Sequence, residues 1–229
     1  MNKTKIFFTS DTHFSHTNCI KYDNRPFKDA DEMNNVMIDN WNKKVPKDGI
    51  VFHNGDLGMQ PLDVLVDILY SLNGKIFLIK GNHDKNLISP NSENPLKIKL
   101  IERFEWIKDY YELWVQDSNL ESKKQLFCMM HYPMACWNLS HYGQSIMLHG
   151  HSHGNFKGPG KILDVGVNSH NYTPLSYQEV LDLAAKKDAF DQVTQQIIEK
   201  DEVGEARRER VIERHNLNLC PTCKHIIKE

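Results

Sequence analysis

Three apolar runs of strand length each feed directly into a polar cluster. Ile6-Phe7-Phe8 leads to Asp11-Thr-His13, Ile50-Val51-Phe52 to His53-Asn-Gly-Asp56, and Lys75 to Lys80 to Gly81-Asn-His-Asp84. Between them lie segments with helical spacing. Met33, Val36, Met37 and Trp41 mark a helix over about residues 30–44, and Leu62, Leu65, Val66 and Leu69 mark a second one opened by Pro61. Strand–helix–strand alternation predicts an α/β fold with a mainly parallel sheet and helices packed on it. Sheets of that kind gather ligands at the carboxyl ends of their strands, which is where the polar clusters fall.

The segment from Phe14 to Asp31 reads as a polar loop. In the second half, Trp106 to Val115 and Lys124 to Met130 read as two strands joined by the polar stretch Gln116 to Lys123, a hairpin. Short strands are expected at Ser145 to His149 and Lys161 to Val167. Ser176 and Glu179 have the spacing of a capping box, with Leu175 placed to staple onto Val180, so a helix is expected to start there. After Lys187 the composition turns to Gln, Glu, Lys and Arg with a thin apolar stripe. This divides the chain into a main domain, residues 1–187, and a helical arm, residues 188–229, ending in Cys220-Pro-Thr-Cys223.

The formal net charge of −2 offers no general attraction to nucleic acid, although it permits a local basic cleft. No run approaches the ~20 apolar residues of a membrane span, and Met1 to Ser10 lacks the pattern of a signal peptide. Five cysteines at irregular spacing do not suggest a disulfide framework. A reduced, cytoplasmic protein is expected.

Five segments carry chemistry: Asp11-x-His13, Gly55-Asp56, Gly81-Asn82-His83-Asp84, His131, and Gly150-His151-Ser-His153 in an order that keeps them at or near strand ends. Carboxylate, carboxamide and imidazole donors suit hard or borderline cations, with manganese favoured and iron, zinc, nickel or magnesium as alternatives. Asp11 and His13, two residues apart beyond a strand, can aim at one ion. A carboxylate has two oxygens, so Asp56 alone can bridge two cations. Asn82 offers a neutral oxygen, and His151 and His153 can reach neighbouring ions. Any one of these segments is a common surface turn. Their ordered conjunction predicts a site for two metal ions.

This ordered series, with Thr9-Ser-Asp-Thr-His-Phe, His131-Tyr-Pro-Met and Asp164-Val-Gly-Val, resembles the calcineurin-like metallophosphoesterase superfamily, in its small bacterial and phage branch, over roughly residues 5–170. The resemblance implies a four-layer αββα sandwich of mixed sheets with a dinuclear centre between them, to which the sequence adds a C-terminal helical extension. It implies one ion held by Asp11, His13 and His153, the other by Asn82, His131 and His151, and Asp56 between them. It also implies hydrolysis of a phosphate ester by attack of a metal-bound hydroxide. His83 is the candidate to steady charge or protonate the leaving oxygen, with Asp84 orienting it. The sequence departs from many members after Gly55-Asp56, where Leu57-Gly58-Met59 replaces an Asp or Arg close to substrate.

His16, Arg25 and Tyr132 flank ligand segments and are expected to touch substrate, with solvated or packing roles as the alternative. His53 and His149 read as satisfied structural histidines. The Cys220-x-x-Cys223 tail is either half a structural zinc site or a plain reduced tail. The leading functional expectation is a phosphodiesterase acting on a cyclic nucleotide or small nucleotide diester. The alternatives are a phosphomonoesterase or nucleoside polyphosphate hydrolase and, from another class, a nucleic-acid-processing or partner-recruiting module that uses the arm, through which the chain would also oligomerise.

Overall fold

The computed structural model describes residues 2–59, 61–89 and 92–187, and the backbone of residues 189–191 and 196–198. The first sheet has the order β4-β3-β2-β1-β9. Its strands β1 (Ile6–Thr9), β2 (Ile50–His53), β3 (Lys75–Ile79) and β4 (Phe104–Lys108) run parallel, and β9 (Leu175–Ser176) closes the edge antiparallel to β1. The second sheet, β5-β6-β7-β8, joins β5 (Tyr110–Gln116) antiparallel to β6 (Lys124–Met130), followed by β7 (Ser145–His149) and β8 (Ile162–Asp164) in parallel. The mixed sandwich expected from the sequence is present.

Alternation along the strands explains the layers. In β1, Phe7 faces a core shared with α2 (Ala30–Lys44), α3 (Leu62–Ser71) and α4 (Pro95–Glu102), whereas Ile6 and Phe8 face the second sheet. In β6, Phe127 and Met129 answer them across the interior, and Leu126 and Cys128 face outward. Phe8 sits between Phe52 and Phe127, with ring centroids 5.8 and 5.0 Å away, so the two sheets are joined through aromatic contacts. On the outer face of the second sheet, Trp137, Met134 and Leu139 from the β6–β7 connection supply the cover. Trp137 is therefore a core residue, its indole N–H donating to Ser145 Oγ at 3.0 Å.

Helix ends follow local chemistry. Asp29 caps α2 by accepting the Glu32 N–H at 2.8 Å. The Ser176/Glu179 capping box starts α5 (Tyr177–Ala184) as expected, and Leu175 and Val180 are buried in one cluster. The buried Trp41 of α2 donates to Asn73 O at 2.9 Å and ties that helix to the end of α3.

Three expectations change, and one further helix appears where the sequence carried no reading. The loop after Phe14 contains a short helix, α1 (Thr17–Tyr22), with Cys19 as its buried residue. Helix α4 carries too weak an apolar pattern to be read, because Leu96 and Ile98 are exposed and Leu100 alone is buried. The expected strand from Trp106 to Val115 is two strands in different sheets, β4 and β5, separated at Asp109. Within the expected helical arm, β10 (Ala189–Asp191) and β11 (Gln196–Ile198) form an antiparallel pair. The rest of the arm, with Cys220 and Cys223, lies outside the described residues. No helix among the described residues is long and apolar enough to cross a membrane.

Candidate metal centre

The parallel pairing of β1 and β2 continues past the strands into the ligand loops. Asp11 N–H donates to Gly55 O at 2.9 Å, His13 N–H to Asp56 O at 3.1 Å and Phe14 N–H to Leu57 O at 3.0 Å. The second sheet does the same where Gly150 N–H donates to His131 O at 2.9 Å. The two sheets are stitched at this end by Val167 N–H to Ser10 O at 3.0 Å and by Asn54 Nδ2 to Leu148 O at 2.8 Å. Gly150 must be glycine, because a Cβ there would lie 1.9 Å from Ser10 Oγ and 2.4 Å from Asp11 Oδ2.

Two groups of donors result. In one, Asp11, His13 and His153 bring ligand atoms within 4.8 Å of one another, and in the other Asp56, His131 and His151 do the same. His13 Nε2 lies 3.3 Å from His153 Nε2, and His153 Nε2 lies 3.6 Å from Asp11 Oδ1. Asp56 Oδ2 stands between the groups, 3.7 Å from His13 Nε2 and 3.4 Å from His131 Nε2. Asn82 Oδ1 lies 3.0 Å from His131 Nε2.

The donor set fits cations. His131 Nδ1 faces Asn54 O at 2.7 Å, and a carbonyl only accepts, so Nδ1 carries the hydrogen. The other nitrogen, Nε2, faces Asp56 Oδ2 and Asn82 Oδ1. Burial disfavours charge on the ring, but Asp56 and Asp11 outweigh it and raise its pKa. Positive charge is therefore favoured where these oxygens converge, and a cation there answers them. Burial pushes the Asp11 carboxyl up to about 7 against the pull of His131 and His153, a bias that a dication reverses. Burial also drives His13 well below its ordinary value, leaving its imidazole in the neutral, ligating form. At Asp56 burial is outweighed by His131, the His83 N–H and His13, so its carboxyl is held below the usual carboxylate range.

The backbone itself is strained here. Eleven non-glycine residues among those described have positive φ, and Asp11, His13, Asp56, His151 and His153 account for five of them, at 48° to 66°. Each such residue costs of order 1–3 kcal/mol, and clustering of that cost marks a site whose side-chain directions matter more than local comfort.

Further carboxylates hold these loops. Asp84 accepts the N–H groups of Asp56 and Gly81 on Oδ2, at 2.9 and 2.8 Å, and of Leu57 on Oδ1, at 2.9 Å. This corrects the expectation that Asp84 orients His83, since its oxygens are committed to the backbone of two ligand loops. Asp84→Asn would turn an amide N–H₂ toward at least one of these donors, and we expect a loss of about 2 kcal/mol or more in urea unfolding. An unchanged midpoint would remove the clamp from consideration. Asp164, at the end of β8, accepts from Ser152 Oγ at 2.5 Å and Gly154 N–H at 2.8 Å, and from Gly166 N–H at 2.7 Å, fixing the loop that carries His151 and His153.

Arg25 is also corrected. It is buried, donating to Asp11 O and Thr12 O at 2.9 Å each, so it braces the first ligand loop from behind and is not presented to substrate. His16 stands beside His13, with Nδ1 atoms 3.5 Å apart. The exposed His83 ring lies 5.3 Å from that of His13 and 6.1 Å from that of His16. Tyr132, 38% exposed, packs edge-on to His151 at 4.8 Å and to His131 at 5.1 Å, so it lines the rim.

His53 is structural. Gly55 N–H donates to its Nδ1 at 3.2 Å, its Nε2–H donates to Thr12 Oγ1 at 3.0 Å, and that hydroxyl donates to Leu57 O at 2.7 Å. Burial pushes its pKa down to about 3, so it stays neutral. His149 is likewise buried, with Nδ1 on Gly150 O at 2.8 Å. Sequence reasoning missed Asp23, whose Oδ2 lies 2.6 Å from His153 Nδ1.

A sandwich of two mixed sheets with His/Asp donor groups at one end is the architecture of a metallophosphoesterase. The chain belongs to the calcineurin-like phosphoesterase family, whose model matches residues 4–155, and it is a metal-dependent phosphoric ester hydrolase of that family. It is 34% identical over 195 residues to the uncharacterized protein MJ1445 of Methanocaldococcus jannaschii, covering 81% of this chain and 94% of that one. It is also similar to the crystal structure of AQ665, a protein of unknown function from Aquifex aeolicus. That likeness has a TM-score of 0.57 and 25% identity and covers 78% of this chain and 98% of the other.

Proposed function

We propose that the chain is a dinuclear phosphodiesterase, with manganese as its working metal and a nucleotide-like diester as its substrate. One cation would be held by Asp11, His13 and His153, the second by Asn82, His131 and His151, and Asp56 would bridge them. The observation that carries this reading is the position of Asp56 Oδ2, within 3.7 Å of a nitrogen from each group. Two divalent cations there supply Lewis-acid polarisation of a phosphoryl oxygen and a nucleophile at neutral pH.

The protein's own groups do the rest. Asp56 Oδ1 is pinned by the His83 N–H at 2.9 Å, which leaves Oδ2 free to face both nitrogen sets. The exposed His83 ring stands at the mouth, where it can hand a proton to the departing oxygen. His16 and Tyr132 line the approach, and the Tyr132 ring offers a face for a base or aryl leaving group. A diester is favoured because a monoester carries a second negative charge that calls for a cationic partner. The guanidinium nearest in sequence to the first ligand loop, Arg25, is spent on backbone carbonyls, and Leu57-Gly58-Met59 supplies no substitute.

A panel of aryl monoesters, aryl diesters, cyclic nucleotides and dinucleotides with added Mn²⁺ tests the reading. Diester turnover is expected, and cleavage of monoesters alone would replace it with a phosphomonoesterase. His83→Ala should lower kcat on diesters by roughly 10²-fold or more while bound metal stays near the wild-type level. Full turnover in that variant would remove His83 from the chemistry.

A further inference from the structure

We propose that Asp23 is a positioning residue for one half of the metal centre, setting the tautomer and aim of His153 without governing the other half. The proposal rests on the dinuclear reading above. Asp23 follows α1, 130 residues from His153 in sequence, and its Oδ2 lies 2.6 Å from His153 Nδ1. A carboxylate of this kind accepts, so the Nδ1 hydrogen is fixed and the lone pair is left on Nε2. That nitrogen is the one 3.3 Å from His13 Nε2 and 3.6 Å from Asp11 Oδ1.

The same turn grips the rest of that ligand group. Arg25 Nε lies 3.4 Å from Asp23 Oδ2, and its two terminal nitrogens donate to the carbonyls of Thr12 and Asp11. Two residues of one turn thus hold the loop of Asp11 and His13 from the first sheet and His153 from the second. The group of Asp56, His131 and His151 has other supports: Asn54 O on His131 Nδ1, and the His83 N–H on Asp56 Oδ1. Separate supports imply separable affinities.

The test is calorimetric titration of the full-length chain, stripped of metal, with Mn²⁺ alone, for wild type, Asp23→Ala, Asp23→Asn and Asp23→Glu. Wild type is expected to take two ions. Asp23→Ala should weaken one of them by roughly 10- to 100-fold and leave the other unchanged. Asp23→Asn, which still accepts the Nδ1 hydrogen but without charge, should fall between. Asp23→Glu should recover part of the lost affinity, and metal-free melting temperatures should stay close to wild type. Asp23→Asn preserves the shape of the side chain and carries the test if Asp23→Ala does not fold. Two unchanged affinities overturn the inference alone. Both affinities falling together with the metal-free melting temperature also overturn it, in favour of a purely structural role. A wild-type chain that binds fewer than two ions overturns the dinuclear reading and this inference with it.

Discussion

Asp56→Asn is expected to abolish turnover while leaving the metal-free fold intact. The side chain has one oxygen on the His83 N–H and the other facing His13 and His131. An asparagine has to keep its carbonyl oxygen on the His83 N–H, because that donor needs an acceptor, so its amide N–H₂ turns to the two imidazole nitrogens. In the metal-free protein this arrangement is comfortable: amide hydrogens meet nitrogen lone pairs, and a buried charge is gone. With cations it fails, since an amide nitrogen offers them no lone pair and the bridge is lost. Turnover should fall by roughly 10³-fold or more, beyond the 10² to 10³ typical of losing one stabilising donor. Wild type should melt at a higher temperature when Mn²⁺ is added, and the variant should not, because only a ligand that binds the folded state raises stability. Metal-dependent turnover near the wild-type rate in Asp56→Asn would refute the bridging role.

Gly55→Ala should cost both stability and metal affinity with the addition of a single methyl group. Gly55 has φ of 95°, and an added Cβ would lie 2.5 Å from the Gly81 nitrogen and 2.7 Å from both Gly81 Cα and His131 Nδ1. Two of those atoms are backbone and the third belongs to a ring fixed by Asn54 O, so none can swing aside cheaply. Strain at positive φ and overpacking against backbone each cost about 1–3 kcal/mol, and together they should lower the melting temperature by on the order of 10 °C. The methyl also drives apart the ends of β2, β3 and β6, which carry Asp56, Asn82 and His131. Metal affinity should therefore fall together with stability, whereas Asp56→Asn separates the two. A melting temperature within two or three degrees of wild type, roughly one kcal/mol in a domain of this size, would show that the loops yield more easily than their contacts indicate.

What was legible in the sequence followed from how local each signal is. The strands ending at Thr9, His53 and Ile79 were visible because apolar runs stop where polar clusters begin, and the donor residues sit within a few positions of those ends. The capping box at Ser176 is local in the same way. Helix α1 was hidden because a single buried side chain, Cys19, makes no stripe. Strands β4 and β5 merged into one reading because aromatic and aliphatic residues recur on both sides of Asp109 with no Gly or Pro between, and nothing in a run of that kind marks a change of sheet. Arg25 was misjudged for a different reason. A guanidinium beside a ligand loop reads the same whether it faces substrate or reaches back to carbonyls. Asp23 has no sequence signal, since its partner is 130 residues away. Asp164 was visible within Asp164-Val-Gly-Val but carried no role there, although, like Asp56, it is a carboxylate at the end of an apolar strand, close to a glycine.

Neither sheet carries a whole donor group. Asp11 and His13 leave the first sheet and need His153 from the second, while His131 and His151 leave the second and need Asp56 from the first. The centre therefore works as a clasp between two leaves, and it closes only when they are pressed together in register. Its grip on a cation measures how well the leaves are seated, so a substitution deep in the Phe8–Phe127 contact can be felt at the mouth without touching a single donor. By the same logic a chelator is expected to loosen the interior seam of this protein. The clasp also spans residue 11 to residue 153, so no fragment shorter than that contains it.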